Sequence, residues 1–307
     1  MKVVLLAGGT GGAKLAAGLQ AVLAPGELTV IANTADDVEV WGLHVSPDVD
    51  SVLFRLAGVF NESTGFGIAD DTFAALDQME RLGLPAWFRI GDRDLAVHVA
   101  RTEMLARGLR LTDATLELGR RFGLPSAVLP MSDDPVRTWF ATDRGPMAFQ
   151  DYFVRERAVP RVDAVAYAGI EGARPSAEVV QAVGSAGLVV IGPSNPVVSV
   201  WPILTLLGAA LPRERTLAVT PVVEGAALKG PTVEMMRSLG RDPSATGVAR
   251  EYRELASGFV LDARDRGEAA AIEALGYRVL VTDTVMEGPD GARRLAAATL
   301  EFARPAI

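Results

Sequence analysis

The sequence predicts an α/β fold, a doubly wound and mainly parallel Rossmann-like sheet that carries a largely helical insertion. Short runs rich in Val, Ile and Leu alternate with longer segments of helical period, the signature of repeated strand–helix–strand units. Several of these runs are apolar throughout, as parallel strands covered on both faces are. The first run also passes directly into a glycine-rich turn, where such sheets bind ligands. The strands expected are Val3–Ala7, Leu28–Ala32, Ala164–Ala168, Leu188–Ile191, Leu217–Thr220, Phe259–Leu261 and Arg278–Thr282. Between residues 51 and 157 the strand signal thins. Apolar residues there recur every three or four positions over Asp71–Arg81, Ala96–Ala106 and Thr112–Phe122, which predicts helices. No Ser/Gly-rich linker sets this stretch apart, so the 307 residues are expected to form one α/β domain with residues 51–157 as an insertion in it.

Composition narrows the chemistry. Of the residues, 49% are hydrophobic, enough for a sizeable core, and the net charge is -8 with no long basic run, which argues against nucleic-acid tracking. The absence of cysteine removes disulfides, thiolate nucleophiles and zinc–cysteine sites. His44 and His98 are the two histidines, too few for a histidine-rich metal centre. Any metal should be a hard cation on carboxylate oxygens, and magnesium is the one expected. The uncharged stretch from Val179 to Pro212 is long enough to span a bilayer, but its Gly192-Pro193-Ser194-Asn195-Pro196 interruption would strand backbone polar groups in lipid. It reads instead as a buried strand, a polar loop and a buried helix. The short apolar N-terminus lacks the form of a signal peptide, and a cytoplasmic location is expected.

Five segments carry candidate chemistry. Gly8-Gly9-Thr10-Gly11-Gly12 follows the first strand and opens a helix. Free helix N–H groups and small residues there suit an anion. Yet Lys14 stands where a dinucleotide fingerprint needs its third glycine, and no Gly-Lys-Ser/Thr follows. Asn33-Thr34-Ala35-Asp36-Asp37 ends the second strand, and Asp48 and Asp50 follow soon after. Two acidic clusters beside a phosphate loop favour metal binding over helix capping. Arg89, Arg93, His98 and Arg101 form a third group, in which spacing alone favours a surface ion-pair network over a substrate-anion site. The neutral Gly192–Pro196 loop suits recognition of a nucleobase or phosphate through Ser194 and Asn195, or is a plain turn. Lys229, one of three lysines, is a point charge for a phosphate or a loop residue. No Gly-x-Ser-x-Gly elbow supports a hydrolase.

Together these stretches resemble the 2-phospho-L-lactate transferase family of coenzyme F-420 biosynthesis. The likeness runs through Gly8–Gly12, Asn33–Asp37, Trp41–Asp50, Asp70–Phe73, Trp87–Ala96, His98, Arg101-Thr102, Leu129–Asp133, Tyr167–Glu171, Gly192–Pro196 and Lys229–Pro231. It implies transfer of a phospho-lactyl or phospho-enolpyruvyl group from a guanosine diphosphate donor to the deazaflavin alcohol Fo, with GMP leaving. By motif, Gly8, Gly9, Thr10, Gly11 and Gly12 would cradle the donor phosphates, with Ser194, Asn195 and Lys229 on the guanosine side. Asp50 and Arg89 match positions expected to contact the deazaflavin. Magnesium is expected on Asp37 and Asp50, with Asp36 beside them, and Asp50 and Asp37 are the candidate catalytic acids. Asp50→Asn is expected to abolish turnover while largely sparing the fold. A homodimer is expected by analogy. The related gluconeogenesis-factor family, whose proteins look like nucleotide-sugar-binding regulators, shares the glycine loop and the Asp pair. It characteristically continues into a Gly-Gly-Ser-rich stretch, where this chain has Val38-Glu39-Val40-Trp41-Gly42.

Overall fold

A computed structural model describes residues 1–227 and 230–304. Lys229 therefore lies outside the described residues. Seven parallel strands form the central sheet, in the order Arg278–Thr282, Gly258–Asp262, Thr216–Val219, Leu188–Ile191, Val3–Ala7, Leu28–Ala32, Ala127–Pro130. Counted along the chain, that is 7-6-5-4-1-2-3, so the winding reverses between Val3–Ala7 and Leu188–Ile191. Beyond the carboxyl ends of those two strands lies the crevice where open α/β sheets take ligands. Val3–Ala7 is buried at every position, as are Leu188–Ile191 and Thr216–Val219, which explains their unbroken apolar runs.

One strand of the central sheet is unexpected, and one expected strand lies outside that sheet. Ala127–Pro130 was not foreseen; it is an edge strand, where its terminal proline removes no ladder hydrogen bond that matters. The apolar stretch at Ala164–Ala168 is part of Val162–Ala168, which joins Arg137–Thr142 and Gly145–Ala148 in a separate antiparallel sheet. The helical pattern beyond residue 51 ends at Arg121: helices Ala74–Arg81, Asp92–Ala106 and Leu111–Arg121 are followed by strands. Helix Leu111–Arg121 stops at Gly123, whose φ of +70° is the left-handed turn a helix end favours. Its first turn is capped from afar, Thr112 N–H donating to Asp133 at 2.7 Å. The uncharged stretch resolves into strand Leu188–Ile191, a loop and helix Trp201–Leu207. Among the described residues no helix is long and apolar enough to cross a membrane.

Helix Gly9–Val22 packs on helices Pro47–Leu56 and Gly288–Ala303, closing one face of the sheet. Two further motifs do structural work. Val38–Val40 and Leu43–Val45 form a hairpin whose two loop residues, Trp41 and Gly42, have φ of +51° and +76°, as a tight two-residue hairpin requires. Asp71 accepts from the N–H groups of Arg93 and Asp94 at 2.8 and 3.0 Å, and Asp92 accepts from those of Ala74 and Ala75 at 3.1 and 2.9 Å. Each acid thus caps the other's helix, and the exchange fixes Trp87–Asp94 against the rest of the site.

Candidate active site

At the switch point the first and fourth strands of the sheet end in two glycine turns that touch. Gly8 N–H donates to Ser194 Oγ at 3.2 Å, and Gly192 N–H donates to the Leu6 carbonyl at 2.9 Å. The small residues are dictated by this contact. A Cβ on Gly11 would sit 2.0 Å from the Pro193 carbonyl oxygen, and one on Gly12 would sit 2.5 Å from Ser194 Oγ. Asn195 uses its side-chain oxygen to accept from Val197 N–H at 2.9 Å, capping the turn that follows. Gly9–Val22 begins here, and past Gly9, whose N–H is taken by Asp48, its first-turn residues Thr10 and Gly11 face a cavity of about 850 Å³. Gly8, Gly9, Thr10, Gly11, Ser194 and Asn195 line that cavity, whereas Gly12 is spent on packing.

The two acidic clusters divide. Asp36, Asp48 and Asp50 line the cavity. Asp37 does not: it turns away, and its carboxylate accepts from Ser46 Oγ and lies against His44 Nε2, both at 2.9 Å. Asp48 was read only as part of a cluster, yet it sits at the centre, accepting from Gly9 N–H at 2.5 Å and from Asn33 Nδ2 at 2.9 Å. Burial pushes its pKa up to about 6, against the lowering effect of those two donors. Asp36 is raised well above the ordinary carboxylate value, first by burial and then by the charge of Asp48. One oxygen of Asp36 and one of Asp37 are buried without a hydrogen-bond partner, a cost in either protonation state. Among the described residues, no three acids or histidines are gathered as a ready metal cluster.

The group built on helix Asp92–Ala106 is not the surface network expected. Arg101 is 0% exposed and His98 2%. Arg101 grips Asp50 through both terminal nitrogens, Nη1 to Oδ2 at 3.1 Å and Nη2 to Oδ1. Burial acts to depress the guanidinium pKa, but the Asp50 charge and hydrogen bonds hold it above its ordinary value. Nη1 also reaches His98 Nδ1 at 3.3 Å. On its other side, His98 Nε2 is 3.2 Å from Asp94 Oδ1, though not aligned as a hydrogen bond. Burial takes His98 down to about 4 and Asp94 up to about 8, the nearby Asp50 charge adding to the latter. Both face the cavity.

Away from the glycine turns the cavity becomes aromatic, with Phe66, Trp87, Phe88, Phe149 and Phe153 in its wall. Trp87 and Phe88 meet edge to face, Phe149 and Phe153 stack at 5.4 Å, and Arg89 lies 4.5 Å from the Phe73 ring centre. Arg89 lines this half, while Arg93 turns outward to the Ala69 carbonyl. Phe66, Phe149 and Phe153 escaped the sequence reading, since isolated phenylalanines carry no spacing signal. The arrangement is one cavity with a polar, donor-rich end for an anion and a broad aromatic end for a planar ring, joined by a wall of acids.

Comparison with known proteins agrees over nearly the whole chain. The family model described as 2-phospho-L-lactate transferase CofD matches residues 3–283. A 2-phospho-L-lactate transferase of Methanosarcina acetivorans is 40% identical over 296 residues, 96% of each chain. A phosphoenolpyruvate transferase of Streptomyces griseus is 38% identical over 316 residues, 99% of this chain and 98% of its own. Among solved structures, a Bacillus halodurans protein described as a member of the UPF0052 family superimposes with a TM-score of 0.61 at 18% identity, over 97% of this chain and 98% of that one. That likeness establishes the fold alone.

Proposed function

The chain belongs to the 2-phospho-L-lactate transferase family, and from that premise we propose that it transfers a phospho-lactyl or phospho-enolpyruvyl group from a guanosine diphosphate donor to the deazaflavin alcohol Fo, releasing GMP. The observation that carries this reading is the family match through nearly the whole chain, with relatives of both transferase names at similar identity. The cavity is consistent with it. The donor phosphates lie against the first-turn N–H groups of Thr10 and Gly11, beside the Gly9 N–H that Asp48 occupies, with Ser194 and Asn195 toward the guanosine. The deazaflavin ring takes the aromatic end beside Arg89, which sets its side-chain hydroxyl toward the acids.

Magnesium fits the donor set: hard carboxylate oxygens, one of them on Asp36 buried and unpartnered, beside a site for phosphate oxygens. Asp36 and Asp50 would hold it from the cavity wall, with Asp37 set behind Asp36. When bound, the ion neutralises phosphate charge as the leaving group departs. Asp50 orients the attacking hydroxyl or accepts its proton, and the glycine turn and Arg89 fix donor and acceptor in line, where most of the rate of such a step originates.

The test is titration of Fo fluorescence with the purified chain, with and without GDP and magnesium, followed by turnover with each donor. Saturable Fo binding altered by GDP and magnesium, then GMP release, is expected. Failure to bind Fo under every nucleotide condition, with binding of a uridine diphosphate sugar, overturns the reading in favour of a regulator.

A further inference from the structure

Arg101 is the largest fully buried side chain, and nothing in the transfer reaction as proposed so far calls on it. Its three contacts at the buried end run in one direction. The guanidinium donates to both oxygens of Asp50, to the His44 carbonyl at 3.4 Å and to His98 Nδ1 at 3.3 Å. A guanidinium has no acceptor to offer. Nδ1 of His98 must therefore be the unprotonated nitrogen, and the ring hydrogen must sit on Nε2, the nitrogen that faces Asp94. One buried cation thus sets the orientation of a carboxylate and the tautomer of an imidazole, and all three of Asp50, His98 and Asp94 open on the cavity. The helix that carries Arg101 and His98 is fixed in turn by the reciprocal caps of Asp71 and Asp92 and by His44 N–H, which donates to Thr102 Oγ1 at 2.8 Å.

We propose that Arg101 is a positioning residue for the transfer: it locks Asp50 against the cavity wall and holds His98 in the Nε2–H tautomer, so that a ring N–H rather than a lone pair faces Asp94 at that wall. The proposal rests on the transferase reading and adds to it the two residues that fix its acidic wall. Arg101 touches no substrate and acts through its neighbours. Lysine cannot replace it fully, because a single ammonium cannot span Asp50 and His98 with a planar fork.

With two histidines in the sequence, long-range ¹⁵N–¹H spectra of the intact chain resolve each ring. His98 is expected to be neutral at pH 7 with its proton on Nε2. Arg101→Met is expected to give a mixed or reversed tautomer at His98. It is also expected to lower kcat by about 10²-fold, the usual cost of a reacting group misplaced by about an ångström, while KM for the nucleotide donor holds, since the glycine turn is untouched. Arg101→Lys should recover part of kcat. If Arg101→Met does not fold, His98→Phe carries the turnover measurement with the Arg101–Asp50 pair intact, and it should lower kcat in the same way, while the tautomer is read from wild-type His98. A wild-type His98 protonated on Nδ1, or full turnover in a folded Arg101→Met or His98→Phe variant, overturns this role alone. A wild-type chain without turnover on either donor overturns the transferase reading and this role with it.

Discussion

Asp50→Asn tests the site and the fold at once, and the structure changes what it should do. From the sequence, the substitution was expected to remove turnover and leave the fold largely intact. Asp50, however, is the counter-charge of a wholly buried guanidinium, meeting it through two charge-assisted hydrogen bonds. An amide in its place keeps one acceptor, presents an N–H group to a second donor, and leaves Arg101 without its negative partner. Breaking a buried pair on one side costs about 3–5 kcal/mol, against a total stability of roughly 5–15 kcal/mol for a globular domain. At roughly 2–4 °C per kcal/mol for a large domain, the melting temperature should fall by roughly 6–20 °C. The fold is therefore not spared, and loss of activity in this variant alone says little about chemistry. The informative comparison is Asp50→Asn with Arg101→Met. Removing the cation as well relieves the stranded charge, so the double variant should be more stable than Asp50→Asn by about 2 kcal/mol or more. Turnover should be absent from both. Denaturant unfolding of the four proteins of the cycle gives the coupling, and a double variant no more stable than Asp50→Asn refutes the assignment of Arg101 as a charge held in place by Asp50.

Three further outcomes are expected. In metal-free buffer, Asp94, raised to about 8, keeps its proton in the folded chain while the unfolded chain has lost it, so stability falls as pH rises toward 8. His98, lowered to about 4, works the opposite way below about 6.5, the ordinary histidine value. Unfolding followed between pH 6.5 and 8 should therefore show falling stability that is lessened in Asp94→Asn, and an unchanged slope counts against a buried, proton-holding Asp94. Gly11→Ala would place a methyl 2.0 Å from the Pro193 carbonyl oxygen, so it should destabilise the chain and weaken GDP binding. Gly184→Ala, in a helix with nothing within 4 Å, should stabilise it by about 0.5–1 kcal/mol; equal effects in thermal melts would refute the packing argument. Ser194→Ala strips the partner from the buried Gly8 N–H and should cost about 1–3 kcal/mol, read by chemical denaturation, with a null effect placing a water where Ser194 Oγ stands.

The central sheet was legible because its strands are buried on both faces and so must be apolar throughout. Leu28–Ala32 and Leu188–Ile191 were recognisable for that reason, as was the glycine turn between the first strand and its helix. Where that condition relaxes, the signal goes. Val162–Ala168 presents alternate alanines to solvent in another sheet, which a composition of Val and Ala does not distinguish from a buried strand, and Ala127–Pro130, though largely buried, is a run of four that ends in proline, a residue that argues against a strand.

The acids show the same limit at finer scale. The acids were read as lying near the glycine turn, and Asp36, Asp48 and Asp50 do line one cavity with it, but a cluster has no direction. Asp48 and Asp50 stand two positions apart on helix Pro47–Leu56, about 200° around the axis, so they must face different neighbours. That arithmetic was available in the sequence: one residue had to turn to the glycine loop and the other to a second element. What it could not supply was the identity of that element. The capping exchange between Asp71 and Asp92, the His44–Thr102 bond and the packing of Val97 and Met104 together set helix Asp92–Ala106 beside Asp50 and make Arg101 its partner across 51 residues of chain. The same contacts leave His98 and Asp94 facing inward. A helix face that reads as charged surface becomes the buried wall of the site because contacts from distant segments decide which way the helix points.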